Sequence, residues 1–162
     1  MTEEEKRQHR VCFTGHRPEK LTRFKWVIKT RIKREIRKAI NDGFTVFISG
    51  MAQGIDIWAA EIVIKLRDGG HPIKLICACP YDGFDKNWSQ EWKDKYNTIL
   101  SKADHTVYVC QHYGRGCFQI RNEWMVDHSA RVIAVFNGEK SGTKNTIDYA
   151  NKVGVPIRYI KA

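Results

Sequence analysis

The stretch Ser49-Gly50-Met51-Ala52-Gln53-Gly54-Ile55-Asp56 decides the fold of this chain. It follows an apolar, β-branched run at residues 44–48 and precedes an amphipathic helical pattern at residues 55–66. A strand that turns through glycines into a helix leaves backbone N–H groups at the positive end of the helix dipole, where they bind anions. Gly50 and Gly54 permit a positive φ and close approach of a ligand. The stretch therefore predicts either a phosphate-binding turn or a tight loop whose glycines only relieve a steric conflict.

The same alternation of a short apolar strand with a helix continues along the chain. It indicates a parallel sheet covered on both faces. Right-handed crossovers make this an α/β domain, Rossmann-like and doubly wound, with a mostly parallel sheet and helices on both faces. Ligands of such domains bind outside the carboxyl ends of the strands. We predict strands at residues 11–13, 44–48, 73–79, 105–110, 131–136 and 157–160, and helices at 23–41, 55–68, 84–102, 117–130 and after residue 143.

Composition narrows the class of protein. Of 162 residues, 42% are hydrophobic and 28% are charged, which is typical of one globular domain. We assign residues 10–162 to that domain and residues 1–9 to a mobile tail. The formal net charge of +10 favours an anionic partner, namely a nucleotide, a nucleic acid or an acidic protein.

The five cysteines include no Cys-x-x-Cys spacing, which indicates a reducing cytoplasm without a disulfide framework or a structural zinc site. The charged N-terminus is unlike a signal peptide, and no apolar run is long enough to cross a bilayer. We therefore expect a cytoplasmic protein with no metal and no membrane partner.

The loops that follow the strands supply the candidate ligand-binding residues. Arg17 and Arg121 offer bidentate contacts to a phosphate. The Thr143 hydroxyl serves either a phosphate or the start of a helix as its N-cap. Asp56 is suited to a ribose hydroxyl or to pairing with a basic neighbour. The full predicted set is Gly15, His16, Arg17, Gly50, Met51, Ala52, Gly54, Asp56, Tyr81, Arg121, Asn137, Ser141, Gly142 and Thr143.

Evidence for catalysis in the sequence is weaker than evidence for binding. The acid–base candidates are His16, Asp56 and Glu123, and His16 has the alternative role of bonding only to its own loop. No Ser/His/Asp order and no His-x-x-x-His spacing is present. We expect a ligand of the nucleotide type, no required cofactor and no metal.

Two further patterns leave alternatives open. The helix predicted at residues 23–40 has a strongly basic outer face, which is either solvated or a contact surface for nucleic acid. We place Phe24 in the buried stripe of this helix, so no aromatic residue interleaves with the charges, and this favours the solvated face. Trp88, Trp92 and Tyr96 form an i, i+4 stripe that is core, a dimer seam or the wall of a base pocket.

Four motifs occur in order along the chain. They are Thr14-Gly15-His16-Arg17, the segment Ser49 to Glu61, Arg121-Asn122-x-Trp124-Met125-Val126-Asp127, and Asn137-Gly138-x-x-Ser141-Gly142-Thr143-x-x-Thr146-Ile147-x-Tyr149-Ala150. Together they resemble the YpsA-like branch of the SLOG superfamily from about residue 10 to the C-terminus. The resemblance implies a Rossmann-like fold shared with DprA/SMF DNA-processing proteins and LOG phosphoribohydrolases, and assembly into a homo-oligomer.

The resemblance also implies a function. In this superfamily the turn at residues 50–54 and the loop Ser141-Gly142-Thr143 hold a nucleotide, a nucleotide-derived signal or single-stranded DNA. LOG enzymes use a glutamate of the last loop, and Thr146 stands at that position here. We therefore expect sensing or sequestering of a nucleotide or nucleotide-derived signalling molecule. The alternatives are a nucleotide-processing hydrolase (a LOG-like phosphoribohydrolase or N-glycosidase) and DprA-like binding of single-stranded DNA.

Overall fold

The computed structural model describes all 162 residues and shows a six-stranded sheet that is parallel throughout, with strand order β4-β3-β2-β1-β5-β6. This confirms the Rossmann-like, doubly wound α/β fold, and the sheet contains no antiparallel strand. The strands are β1 (Arg10–Gly15), β2 (Val46–Ser49), β3 (Lys74–Cys79), β4 (His105–Tyr108), β5 (Arg131–Phe136) and β6 (Ile157–Lys161). The helices are α1 (Glu3–Arg7), α2 (Lys25–Asn41), α3 (Ile55–Asp68), α4 (Gln90–Lys102), α5 (Cys117–Asp127) and α6 (Gly142–Val153).

Helices cover both faces of the sheet. The helices α2, α3 and α4 pack on one face, and α5 and α6 pack on the other. Ile28, Ile32 and Ile36 follow one another at i, i+4 along α2 and are fully buried. Each buried isoleucine side chain contributes about 1.5–3 kcal/mol, so the apolar side of α2 is committed to the core. None of the helices combines the length and the apolar composition needed to span a bilayer.

The strand order reverses between β1 and β5. From β1 the chain builds outward through β2, β3 and β4, then returns to place β5 against the other side of β1, with Gly15 opposite Val135. Loops that leave two such strands diverge and open a crevice at their carboxyl ends. The topology thus locates the candidate site between the loops after β1 and β5.

Some element boundaries differ from the sequence prediction. Phe24 lies in extended conformation before α2 and is 75% exposed, so its predicted place in the buried stripe is wrong. In the helix predicted at residues 84–102, the residues around Phe84 and Trp88 form turns, and α4 begins only after Ser89. The apolar pattern of residues 117–130 also predicts that Ile120 faces inward from α5, but this side chain is 51% exposed. At Phe24 and Phe84 the chain is not yet helical, so helical periodicity does not apply there. At Ile120 the polar neighbour Arg121 takes the buried position.

The segment predicted as a mobile tail contains α1. Thr2 and Glu5 form a reciprocal capping box, in which the Thr2 hydroxyl accepts from the Glu5 N–H and the Glu5 carboxylate accepts from the Thr2 N–H. Arg7 Nη1 donates to the carbonyl of Ser129 at 3.0 Å. The capping box stabilises α1, and the Arg7–Ser129 hydrogen bond joins the segment to the domain.

Gly15 ends β1 directly beneath the first turn of α3. A Cβ at this position would lie 2.5 Å from both Cβ and Cγ1 of Ile55. The φ of Gly15 is not positive, so the position requires glycine for space rather than for backbone conformation. This close approach sets the distance between the β1 loop and α3.

Gly15→Ala should lower the free energy of unfolding by about 1–3 kcal/mol, because the added methyl group overpacks against Ile55. Urea unfolding followed by circular dichroism measures this change. Gly142→Ala is the control, since a Cβ there meets nothing within 4 Å, and it should leave stability unchanged or slightly raised. Equal midpoints for the two variants would show that the Gly15–Ile55 approach does not limit stability.

Candidate functional site: the crevice at the ends of β1 and β5

A crevice of about 300 Å³ opens where the strand order reverses. The loops after β1, β2 and β5 and the first turns of α5 and α6 line it. Of the predicted residues it brings together Gly15, His16, Arg17, Ala52, Asp56, Arg121, Ser141, Gly142 and Thr143. Sequence analysis missed five further lining residues: Phe13, Thr14, Lys20, Phe118 and Asn122.

The N-terminus of α6 opens into the crevice. Ser141 is the N-cap, and its hydroxyl accepts from the N–H of Lys144 at 3.1 Å. The N–H groups of Gly142 and Thr143 have no acceptor within the chain, as is usual for the first helical residues. Because the helix dipole adds positive potential at the same place, this helix end offers two free donors to an anion.

Two N–H groups of the turn before α3 are bonded to side chains of the same segment, whereas α3 itself, which begins after Gly54, has no side-chain cap. Asp56 Oδ2 accepts from the N–H of Ala52 at 3.2 Å, and Ser49 Oγ accepts from the N–H of Met51 at 3.2 Å. The Ser49 hydroxyl in turn donates to the carbonyl of Asp56 at 2.8 Å. Donors used in this way are not available to a phosphate, so the structure favours the tight-loop alternative for this turn.

The glycines of the same turn serve packing. A Cβ on Gly54 would lie 2.8 Å from Pro18 Cδ, so the β1 loop covers this turn. Met51 and Gly54 have positive φ values, of 63° and 93°. A positive φ was also predicted for Gly50, and this prediction is wrong. Gly50, Met51 and Gly54 do not line the crevice.

Arg121 and Asp56 form the floor of the crevice, and both are buried. Arg121 Nη1 donates to the carbonyl oxygens of Gly50 and Ala78, and its Nε donates to Asn122 Oδ1 at 2.8 Å. A Cβ on Gly50 would lie 2.9 Å from Asp56 Oδ2 and 3.0 Å from Arg121 Nη1. Gly50 therefore makes room for the two charged groups.

The carboxyl group of Asp56 is electrostatically unusual. Burial raises its pKa to about 6, although the Arg121 charge and the Ala52 N–H both act to lower it. Burial likewise lowers the pKa of Arg121, and the negative charge of Asp56 opposes that shift. Asp56 Oδ1 is buried and has no hydrogen-bond partner in the chain. The floor thus contains one unsatisfied acceptor.

His16 links the two loops that flank the crevice. Its Nε2 accepts from the backbone N–H of Asn137 at 3.1 Å, and its ring stacks on Phe136 at 5.6 Å between centroids. Burial, followed by the charge of Lys20, lowers the pKa of His16 below its ordinary value. His16 is therefore neutral at pH 7, with its proton on Nδ1 because Nε2 is the acceptor.

Besides Gly50, Met51 and Gly54, three further predicted site residues lie outside the crevice. Glu123 sits on α5, where Gln119 Nε2 donates to its Oε2 at 3.0 Å, so it does not join His16 and Asp56. Asn137 contributes to the crevice only indirectly, because its backbone N–H donates to Nε2 of the lining residue His16. Tyr81 lies behind the lining residue Phe118, edge-on at 6.2 Å between ring centroids.

Aromatic side chains extend one wall of the crevice. Phe118, in the first turn of α5, lines the crevice and is 42% exposed. Tyr113 is 73% exposed and packs edge-on against Tyr81 at 5.3 Å. The glycine-rich loop at residues 111–116 followed by an aromatic helix start was the available signal for this wall.

The predicted aromatic stripe of α4 lies elsewhere. Tyr96 is buried in the core and Trp88 packs edge-on against it at 5.6 Å between centroids. Trp92 is partly buried against the same core. These rings do not line the crevice, so the core alternative for the stripe is the one that the structure favours. No group of three or more His, Cys, Asp or Glu side chains is arranged to hold a metal ion.

Comparisons with known proteins match this architecture. The family model described as the YspA SLOG family matches residues 11–161. UPF0398 proteins of Bacillus cereus (strain G9842) and Bacillus thuringiensis (strain Al Hakam) are each 29% identical over 154 residues, which covers 89% of this chain and 83% of theirs.

Two solved structures share the fold. DprA from Streptococcus pneumoniae aligns with a TM-score of 0.67 at 21% identity, covering 96% of this chain and 51% of that chain. DprA from Helicobacter pylori aligns with a TM-score of 0.68 at 20% identity, covering 98% of this chain and 67% of that chain. The chain therefore spans about half the length of the Streptococcus pneumoniae protein.

Asp56→Asn should change how stability depends on pH. The pKa of Asp56 is raised from an ordinary value near 3.8 to about 6 in the folded state, so folding favours the protonated form. The wild type consequently loses stability as the pH rises from about 4 through 6, whereas the neutral amide does not. Whatever the cost of removing the charge beside Arg121, the stability of the variant relative to the wild type should rise by about 2 kcal/mol between pH 4 and pH 7.5.

Urea unfolding of both proteins across this pH range measures the difference, in which the contributions of all other groups cancel. A difference that stays constant between pH 4 and pH 7.5 would contradict the raised pKa.

Proposed function

The chain belongs to the YspA SLOG family, and we propose that its crevice binds a nucleotide or a nucleotide-derived signalling molecule by a phosphate group. The observation that carries the proposal is the N-terminus of α6, where Gly142 and Thr143 line the crevice and their N–H groups have no acceptor within the chain. A helix N-terminus with free donors in a concave site is suited to phosphate.

The charges around the crevice support an anionic ligand. Arg17 and Lys20 are exposed on the β1 loop, and Arg121 lies in the floor. Against these three cations stands one lining carboxylate, Asp56. The balance is positive, which attracts a phosphate and raises its rate of association.

Other lining groups fit the remaining parts of a nucleotide. The Phe118 ring offers a face for a nucleobase, since stacking of a base on an aromatic side chain is favourable and tolerant of base identity. The carboxylate of Asp56 lies in the floor of the crevice and is an acceptor suited to a sugar hydroxyl. These contacts distinguish a nucleotide from inorganic phosphate.

We favour binding over turnover. The Nε2 of His16 is occupied by the Asn137 N–H, and Glu123 lies outside the crevice. The hydroxyl of Thr146, at the position of the LOG glutamate, donates to the carbonyl of Gly142 at 2.9 Å. A receptor that senses or sequesters its ligand requires none of these groups to transfer a proton.

Titration calorimetry with mono-, di- and cyclic nucleotides, ADP-ribose and short oligonucleotides tests the proposal. Oligonucleotides belong in the panel because the Helicobacter pylori relative is described as binding single-stranded DNA. Mass spectrometry of small molecules released by denaturing the purified protein identifies a retained ligand directly. A folded protein that binds no member of the panel and releases no such molecule would overturn the proposal.

Gly142→Asp is the sharpest variant, because a Cβ there has open space and an acidic residue is favourable in the first turn of a helix. It should keep the fold but weaken phosphate binding by about a hundredfold, since like charges placed together at a binding interface cost several kcal/mol. Gly142→Ala is the matched control and should bind as the wild type does. Equal affinity of the Asp and Ala variants would remove the α6 N-terminus from the site.

A further inference from the structure

We infer that the outward face of α2 binds single-stranded nucleic acid, with Trp26 as the stacking platform, at a surface separate from the crevice. The outward face consists of Trp26, Thr30, Lys33, Arg34 and Arg37. These residues recur at intervals of three and four, so they share one side of the helix. The face is opposite the isoleucine stripe that packs on the sheet.

The cations of the outward face are not neutralised by the protein. The carboxylate of Glu35 is paired with Arg158, with Arg158 Nε 3.0 Å from Oε2. Asp42, at the end of the helix, is paired with Arg131 at 2.9 Å and with Lys38 at 3.6 Å. Lys33, Arg34 and Arg37 form no salt bridge, and they line a shallow groove that contains no hydrophobic residue.

Trp26 supplies an aromatic surface at one end of this basic row. Its side chain is 69% exposed, and its ring packs against no other aromatic ring and no cation. The nearby lysines Lys25 and Lys29 lie over Trp58 instead, at 5.4 and 5.2 Å from its ring centroid. The Trp26 ring is therefore free to stack on a ligand. The aromatic residue that the sequence interpretation found missing among the charges is therefore present.

The chemistry of the face favours a flexible strand with unpaired bases. Positive charge in a row tracks a phosphate backbone, and an exposed indole stacks on a base that is not already paired. An amphipathic helix that enters a membrane interface needs a free apolar face. In α2 that face is occupied, because Ile28, Ile32 and Ile36 are fully buried in the core. A membrane is thus the poorer fit.

Fluorescence anisotropy with a labelled oligothymidylate tests the role of Trp26. Trp26→Ala should weaken binding about tenfold through the lost stacking, and Trp26→Phe should restore most of it. Tyr159→Ala is the control, since Tyr159 is also exposed but lies on β6, on the opposite face of the sheet. Both residues are exposed, so neither change should unfold the protein.

The basic row has its own test. In the triple variant Lys33→Gln, Arg34→Gln, Arg37→Gln, the slope of log affinity against log salt should become shallower by about 2, because each lost phosphate contact on a single strand removes about 0.7. The control triple Lys86→Gln, Lys102→Gln, Lys152→Gln removes the same net charge from exposed sites elsewhere. It should leave the slope nearly unchanged.

Four results would overturn the inference. They are unchanged affinity in Trp26→Ala, equal effects of the two triple variants, equal binding of a duplex of the same sequence, and binding to anionic phosphatidylglycerol vesicles without binding to the oligonucleotide. Gly142→Asp separates the two sites. If it abolishes oligonucleotide binding while the α2 variants do not, the strand occupies the crevice and the outward face of α2 has no part in binding.

Discussion

The buried guanidinium of Arg121 is the interaction on which the carboxyl edge of the sheet depends. It comes from the second turn of α5 and donates to the carbonyl oxygen of Gly50, just beyond the end of β2, and to that of Ala78, near the end of β3. A buried charge is tolerated only with hydrogen-bond acceptors and an opposite charge nearby, and Asp56 supplies the latter. Gly50 is then required by space, because a side chain would overlap both groups. The residues that form the floor of the crevice are therefore required by the fold itself, independently of any ligand.

The two glycine-containing helix starts, at α3 and α6, differ in how accessible they are. In the turn before α3 the N–H groups of Met51 and Ala52 are bonded to Ser49 and Asp56, and Pro18 covers Gly54 at the start of the helix. At α6 only the Lys144 N–H is capped, and Gly142 stands in open space. The two helix starts therefore differ in accessibility, because Ile55, Asp56 and Ile57 are buried at α3 whereas Gly142 is exposed at α6, and not in the number of glycines in their loops.

The fold was predictable because strand–helix alternation is a local signal repeated along the chain, and the position of the site followed from the topology of parallel sheets. Whether each helix N-terminus is open or covered was not predictable, since this depends on contacts between residues distant in sequence, such as Pro18 with Gly54. Periodicity also placed Ile120 inside α5 in preference to a charged residue. Arg121 is buried instead because carbonyl acceptors are available to it.

The loop between β1 and α2 connects the two proposed surfaces. It carries Arg17 and Lys20 into the crevice and then delivers Trp26 to the start of α2 at the same edge of the sheet. Electrostatic attraction acts over about 8 Å at physiological ionic strength, so it draws anions to both surfaces without discriminating between them. Discrimination has to come from short-range groups. In our proposals, the free N–H donors at α6 select a phosphate held in a concave site, whereas the exposed indole beside unpaired cations selects a strand that offers an unstacked base.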